Sequence, residues 1–390
     1  MKKHLYLLMV TIMVTVMSEL QVAGMMPAMS EDLGVSTGQI GMLVSMFAAG
    51  MAVGGPLFAY FLRHSPPKGA LLTIVALYAV MQVLVPLVDE YWWVAMVRIV
   101  TGALAGASFG LSVTYAALLA PSPQKIGESI SIVLGGIMVG TVLGLPLSHF
   151  IADRWGWQSS FYVLGILTFA LFVASLAVLP KREAPAQEAA AQDLRNLRMP
   201  RLWARYLVSL LTVGAAYASF SYFTPLLETS AGFSTNATTI ILLAYGVCSY
   251  IGNMIVGKFA DKHAIAVLRI GHALLFIALA ALAAFGYVQP VVLIMVIVVG
   301  FVGVTMNPAL VTRVAEVGGA GTMVSTIHTA VISAGVTLGS AVSAVTIGMF
   351  GDDPAIAMWT GAVLVVLAAL VLAAQTRTKK QELVEAVMAE

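Results

Sequence analysis

Charge is what this chain of 390 residues has least of: Asp, Glu, Lys and Arg together make up 10% of it. A soluble domain carries roughly a quarter charged residues, so an ordinary water-facing surface is excluded and lipid is the expected solvent. A single cysteine, Cys248, excludes an internal disulfide; it sits in an apolar run and reads as a small packing residue. There is no Walker glycine loop followed by Lys, no His-Glu-x-x-His and no paired His/Cys spacing. An ATP-driven pump, an intramembrane metalloprotease and a metal site are therefore not expected, nor is a cofactor, a nucleic-acid partner or an enzyme. A cleavable signal peptide is not expected either. The apolar stretch after Lys2, Lys3 and His4 runs past residue 20, too long for a signal core, and should remain as a first span.

What the chain has in abundance is apolar sequence: 60% of it is hydrophobic, at a mean hydropathy of +0.96. Runs long enough to cross a core of about 30 Å fall at roughly 5–29, 38–62, 69–88, 91–120, 127–151 and 157–179. A second set falls at roughly 205–229, 236–258, 264–286, 290–312, 321–349 and 355–376. With the N-terminus inside, every Lys and Arg except Arg98 and Arg154 sits in or beside a cytoplasmic segment. That asymmetry argues for an even number of spans, N-in and C-in. Trp92, Trp93, Trp155, Trp157 and Trp203 lie at span ends, as an aromatic belt requires.

The longest polar stretch between spans, PKREAPAQEAAAQDLRNLRMPR, opens a linker over 180–204. It divides the chain into six-helix bundles at 1–179 and 205–376, with a cytoplasmic tail at 377–390. An internal echo accompanies the division: Pro27 precedes Gly34-Val35-Ser36-Thr37 as Pro225 precedes Gly232-Phe233-Ser234-Thr235, offset by 198 residues. Chance similarity in an apolar chain is one account of it, and a duplicated six-span unit is the other. Paired halves with a substrate site between them near the midplane are common in secondary transporters.

Four motifs carry chemistry. Ser18-Glu19-Leu20-Gln21-Val22-Ala23-Gly24-Met25-Met26-Pro27 places the one acid well inside a span in the first helix. A carboxyl there costs about 2.5–3.5 kcal/mol on insertion scales. Desolvation disfavours its charged form, which suits a group that takes up and releases a proton; a permanently protonated structural acid is the alternative. Arg98-Ile99-Val100-Thr101-Gly102 in the fourth span supplies a cation, read either as a partner of Glu19 or as a snorkelling structural arginine. In the fifth span Gly140-Thr141-Val142-Leu143-Gly144-Leu145-Pro146 sets glycines four apart, a stripe for close helix contact, ahead of a proline that bends the helix. Trp155-Gly156-Trp157-Gln158 and Phe161 follow. The loop expected after span 8, Gly257-Lys258-Phe259-Ala260-Asp261-Lys262-His263, sets an acid beside a helix end and basic groups. That is either a charge-and-dipole latch or a solvated loop. Its first-half counterpart, Gly55 to Arg63, lacks the Asp.

Across essentially the whole chain these motifs resemble the major facilitator superfamily, and within it the twelve-span drug:proton antiporter branch, which includes bacterial sugar, purine and drug efflux proteins. The resemblance implies an all-α fold of twelve transmembrane helices in two pseudo-symmetric bundles, in the bacterial cytoplasmic membrane. It implies proton coupling at Glu19 and Arg98, and conformational roles for Gly140, Gly144, Pro146, Gly257, Asp261 and Lys262. The match at span 5 is partial, since Leu145 separates Gly144 from Pro146. Polar and aromatic residues inside spans are candidates to meet substrate: Tyr217, Tyr222 and Asn253 first, then Tyr115, Asn307 and His328, with Tyr78, Gln82 and Tyr245 behind them. His149 and His272, near span ends, read as structural hydrogen-bonders. The expected function is proton-driven efflux of a small amphiphilic or polar metabolite or drug by a monomer in the lipid bilayer. A proton-coupled importer or facilitator, and a membrane receptor without transport, are the alternatives.

Overall fold

In a computed structural model, residues 2–62, 65–122, 126–181, 198–318 and 322–389 are described, with the backbone alone from 377 onward. Arg63, Lys125 and most of the 180–204 linker fall outside those residues, as do the side chains of Asp261 and of the tail.

The described residues contain twelve helices long and apolar enough to cross a membrane. They are α1 (Lys2–Gly24), α2 (Thr37–Phe58), α3 (Pro67–Leu87), α4 (Tyr91–Leu118), α5 (Ser129–Trp155) and α6 (Trp157–Val178) in the first set. The second set is α7 (Pro200–Ser230), α8 (Thr235–Ala260), α9 (Lys262–Phe285), α10 (Gln289–Gly318), α11 (Thr326–Met349) and α12 (Ala355–Thr376). Hydrogen bonds sort their ends onto two faces. Trp157 donates to Asp32, Gln289 to the Ala231 carbonyl, and Asp352 accepts from the Thr37 and Gly38 amides. At the other face Lys68 reaches the Leu179 carbonyl, Arg205 and Arg313 reach Gln375, and Arg269 reaches Thr376.

The 198-residue echo is an echo of geometry. Gly34 and Gly232 both adopt positive φ, 64° and 68°, a region costly for a residue with a Cβ. Two residues on, Ser36 and Ser234 cap α2 and α8, accepting from the amides of Gln39 and Ala237. Ahead of both turns a proline interrupts the helix. Pro27 has no N–H to give the Ala23 carbonyl, and the backbone breaks at Met25 (φ −126°, ψ 22°). Ahead of Pro225 it breaks at Tyr222 (φ −113°, ψ 14°) and leaves α7 through a π turn at Leu226–Ser230. α10 is also discontinuous: it breaks at Gly303 and resumes at Asn307 after a 3₁₀ turn.

The segment Gly257–Lys262, expected as a loop, is helical; α8 and α9 run on through it and bend only at His263 (φ −132°, ψ 29°). Lys258 to Lys262 hold neither glycine nor proline, so nothing forces the ladder to end before the bend.

Candidate functional site

The site begins where α1 meets α4. Arg98 is fully buried. Its Nη1 donates to the Ser18 carbonyl at 2.9 Å and its Nη2 to the Glu19 carbonyl at 3.4 Å. The guanidinium lies 4.2 Å from the centre of the Phe47 ring on α2, a cation–π contact. Arg98 therefore does not snorkel. It grips the main chain of Ser18 and Glu19 rather than the Glu19 carboxylate, and a buried cation so placed still favours a negative charge next to it. The side chains behind it complete a polar cluster: Gln82 donates to Ser18 Oγ at 2.7 Å, Gln21 to the same oxygen at 3.4 Å, and Ser160 to Gln21 at 3.3 Å.

The Glu19 carboxyl turns the other way. The residue is half-buried, and its carboxyl comes within interaction range of the Tyr217 hydroxyl on α7, across the interface between the two sets of helices. Tyr217 leads into an aromatic cluster: it packs edge-on to Phe220 at 5.5 Å, and Phe220 and Phe223 both meet Tyr245, at 5.2 and 5.4 Å. One wall of the interface is thus polar and charged, the other aromatic.

Close helix packing fixes these positions. A Cβ on Gly136 would stand 2.1 Å from the Met9 carbonyl, and one on Gly140 2.8 Å from that of Met13. The α5 stripe that ends in Gly144 and the buried Pro146 thus clasps α1, the helix carrying Glu19, within the first half. Contacts between the halves are made by α2 against α11, with Ser45 bonded to Ser340 at 2.8 Å, and by α5 against α8, where Gly246 abuts Val142.

The other candidates scatter. Tyr222 is buried and its hydroxyl lies against the Cα of Gly41, without a hydrogen bond. Tyr115 donates to the Pro180 carbonyl at the opposite face, far along α4 from Arg98. His328 bonds Ser209 at 2.8 Å and stacks on Tyr206. Neither Tyr115 nor His328 joins the Glu19 cluster, because each already has a partner near the end of its own helix. Asn307 stands at the α10 break with its buried Oδ1 unpartnered. Asn253 is partly exposed on α8, Gly257 faces open space and Lys262 is exposed. The sequence reading missed that Ser18 and Phe47 would frame Arg98. His149, expected as a structural hydrogen-bonder, does bond the Gly24 and Thr235 carbonyls and also forms an ion pair with Glu228 at 3.3 Å, which was not expected, nor was the role of Asp352. Tyr217 as the partner of Glu19 had a signal: the two are 198 positions apart, the offset of the repeat.

Two six-helix sets with a carboxyl of a spanning helix at their interface fit a secondary transporter architecture. The family model described as Major Facilitator Superfamily matches residues 7–331. The Chloramphenicol resistance protein of Streptomyces lividans is 31% identical over 373 residues, 94% of each chain. The Inner membrane transport protein YdhP of Escherichia coli (strain K12) is 29% identical over 245 residues, 63% of each chain. Among solved structures, a bacterial homolog of the human lysosomal transporter Spinster, inward-facing and occupied, matches at a TM-score of 0.78 and 16% identity, over 96% of both chains. The xylose transporter XylE of E. coli, partially occluded and inward open, matches at 0.71 and 16%, over 94% and 95%. The chain belongs to the major facilitator superfamily. It is a multi-pass transporter of small molecules in the bacterial inner membrane, working by alternating access, and not an enzyme.

Proposed function

We propose that this transporter exports a small amphiphilic or polar compound, a drug among the candidates, in exchange for protons. The observation that carries the reading is Glu19: a carboxyl at the interface, with Arg98 fixed to its own main chain and Tyr217 across from it. A drug-sized cargo is supported by the relative named for chloramphenicol resistance. Residues 1–179 and 205–376 rock as two units within a monomer, N-in and C-in. In that orientation the face joined by Asp352 to Thr37 and Gly38 is the outer one. One proton crossing 100 mV supplies about 2.3 kcal/mol, enough for roughly a fifty-fold gradient of a neutral solute.

Proteoliposomes with an imposed pH gradient test this. The parent should drive chloramphenicol or a similar amphiphile uphill against the proton flow, and Glu19→Gln should insert normally yet lose all uphill transport. Undiminished uphill transport by Glu19→Gln removes Glu19 from the mechanism. Stimulation by a gradient of the same direction as the solute would mean import instead, and binding without accumulation would mean a receptor.

A further inference from the structure

At the face where Asp352 meets α2, one further side chain has surroundings that constrain its chemistry. His149, near the end of α5, is almost wholly buried. Its Nδ1 lies 2.9 Å from the Gly24 carbonyl. Its Nε2 lies 3.2 Å from the Thr235 carbonyl and 3.3 Å from Glu228 Oε1. A backbone carbonyl only accepts. A neutral imidazole carries one N–H, so it would set a bare nitrogen lone pair against a carbonyl oxygen on one side or the other. Only the imidazolium, with both nitrogens protonated, satisfies the arrangement.

The position gives that proton a task. Gly24 ends α1 in the first half, while Thr235 opens α8 and Glu228 sits in the π turn of α7, both in the second. The break at Met25 leaves the Ala23 and Gly24 carbonyls outside the regular α1 ladder; Thr224 takes the first at 2.8 Å and His149 the second. Separating the halves at this face withdraws Thr235 and Glu228 from the ring, and with them the need for its second proton. Glu228 is the charged side chain that faces the ring. On the neighbouring short helix Asp32 is occupied by Trp157 and Gln158, and Glu31 is exposed. On α5 itself Asp153 and Arg154 are exposed, the latter over Phe150. Asp352 is bound to the α2 amides, and Glu19 lies more than a turn deeper along α1.

We propose that His149 is a second proton-binding site of the transporter: its imidazolium latches the two halves at this face, and the proton is released when the face opens. Acid on that side holds the latch and alkali frees it. Placing the face outside rests on the orientation adopted above; the latch itself does not depend on Glu19 being the coupling acid.

Two measurements in nanodiscs decide it. Ring ¹⁵N spectra, with the His149 signals assigned by their loss in His149→Gln, should show both nitrogens protonated at pH 7; a neutral tautomer at that pH overturns the proposal. Spin labels at Trp155→Cys and Tyr287→Cys, in a Cys248→Ala, Glu19→Gln background, report opening of the face. The long-distance population should rise on the order of tenfold from pH 5.5 to 8, the scale of one linked proton, and be flat in His149→Gln. The same pH response in both proteins, or none in either, overturns it. Because Glu19 is already neutralised in that background, failure of proton-coupled export would leave these readouts unchanged and so be told apart.

Discussion

The two halves of this transporter share a backbone plan and differ in chemistry, and positions 198 apart make the comparison direct. Gly34 and Gly232 take the same left-handed turn, and Ser36 and Ser234 cap the same helix. Gly102 of α4 lies against the Phe47 carbonyl of α2, and Gly300 of α10 against the Tyr245 carbonyl of α8. Around those shared contacts the side chains diverge. Glu19, Phe47 and Arg98 in the first half stand where Tyr217, Tyr245 and Val296 stand in the second. Close approach of helices in lipid depends on backbone and small residues, so both halves keep it. A charged group in a span costs several kcal/mol, which sets Glu19 and Arg98 apart from the aromatic and aliphatic side chains at the matching positions of the second half.

The largest effect should come from exchanging that chemistry between the halves. The double variant Glu19→Tyr/Tyr217→Glu keeps an acid and a phenol at the interface but moves the acid away from Arg98, whose grip is on the α1 main chain. Uphill transport in proteoliposomes should fall to background, a loss of the roughly fifty-fold gradient one proton supports. Retained coupling would mean that the acid alone matters and that Arg98 is structural.

A second test addresses what the halves share. A Cβ on Gly102 would meet the Phe47 carbonyl at 1.9 Å, whereas one on Gly300 would meet the Tyr245 carbonyl at 3.0 Å. Gly102→Ala must therefore push α4 off α2, with an overpacking cost of about 3 kcal/mol. At Gly300 a shift of tenths of an ångström suffices, and the gain in helix propensity of about 1 kcal/mol offsets most of it. Thermal unfolding in detergent should show a clear drop for Gly102→Ala and little change for Gly300→Ala. Equal drops would mean that the two contacts are equally tight.

Much of this was legible before any coordinates. Spans announce themselves by composition, and an acid inside one is conspicuous because so few charges occur. What stayed hidden depends on direction rather than on residue type. Nothing in Arg98-x-x-x-Gly102 says that the guanidinium would seek main-chain carbonyls rather than the nearby carboxylate. Tyr115 and His328 looked like cavity residues because polar groups inside spans are noticed, yet each is satisfied near the end of its own helix. The sequence marks His149 only as a structural hydrogen-bonder, because its partner is a carbonyl freed at a helix break, and helix breaks ahead of prolines are hard to place from sequence.

A smaller effect should come from Tyr217→Phe, which removes the hydroxyl facing Glu19 and keeps the ring against Phe220. One hydrogen-bonding partner is worth about 0.5–1.5 kcal/mol, so the apparent affinity for substrate or proton should change by roughly two- to tenfold while uphill transport persists. Abolished transport would make Tyr217 as essential as Glu19 and would erase the distinction between the two walls.

The smallest effect separates the two caps. Ser36 takes part in a reciprocal capping box: its hydroxyl accepts from the Gln39 amide at 3.2 Å, and Gln39 Oε1 accepts from the Ser36 amide at 3.1 Å. Ser234 accepts from Ala237 at a longer 3.4 Å, and an alanine there has no side chain to return the bond. A reciprocal box satisfies two otherwise unpaired amides at the start of a helix, a single cap only one. Ser36→Ala should therefore destabilise by about 1 kcal/mol and Ser234→Ala by about 0.5 kcal/mol. Unfolding of the two variants in parallel reads the difference. If Ser234→Ala proves the more damaging, the second-half turn depends on its cap more than its geometry indicates, and the halves differ at the one place where their backbones look most alike.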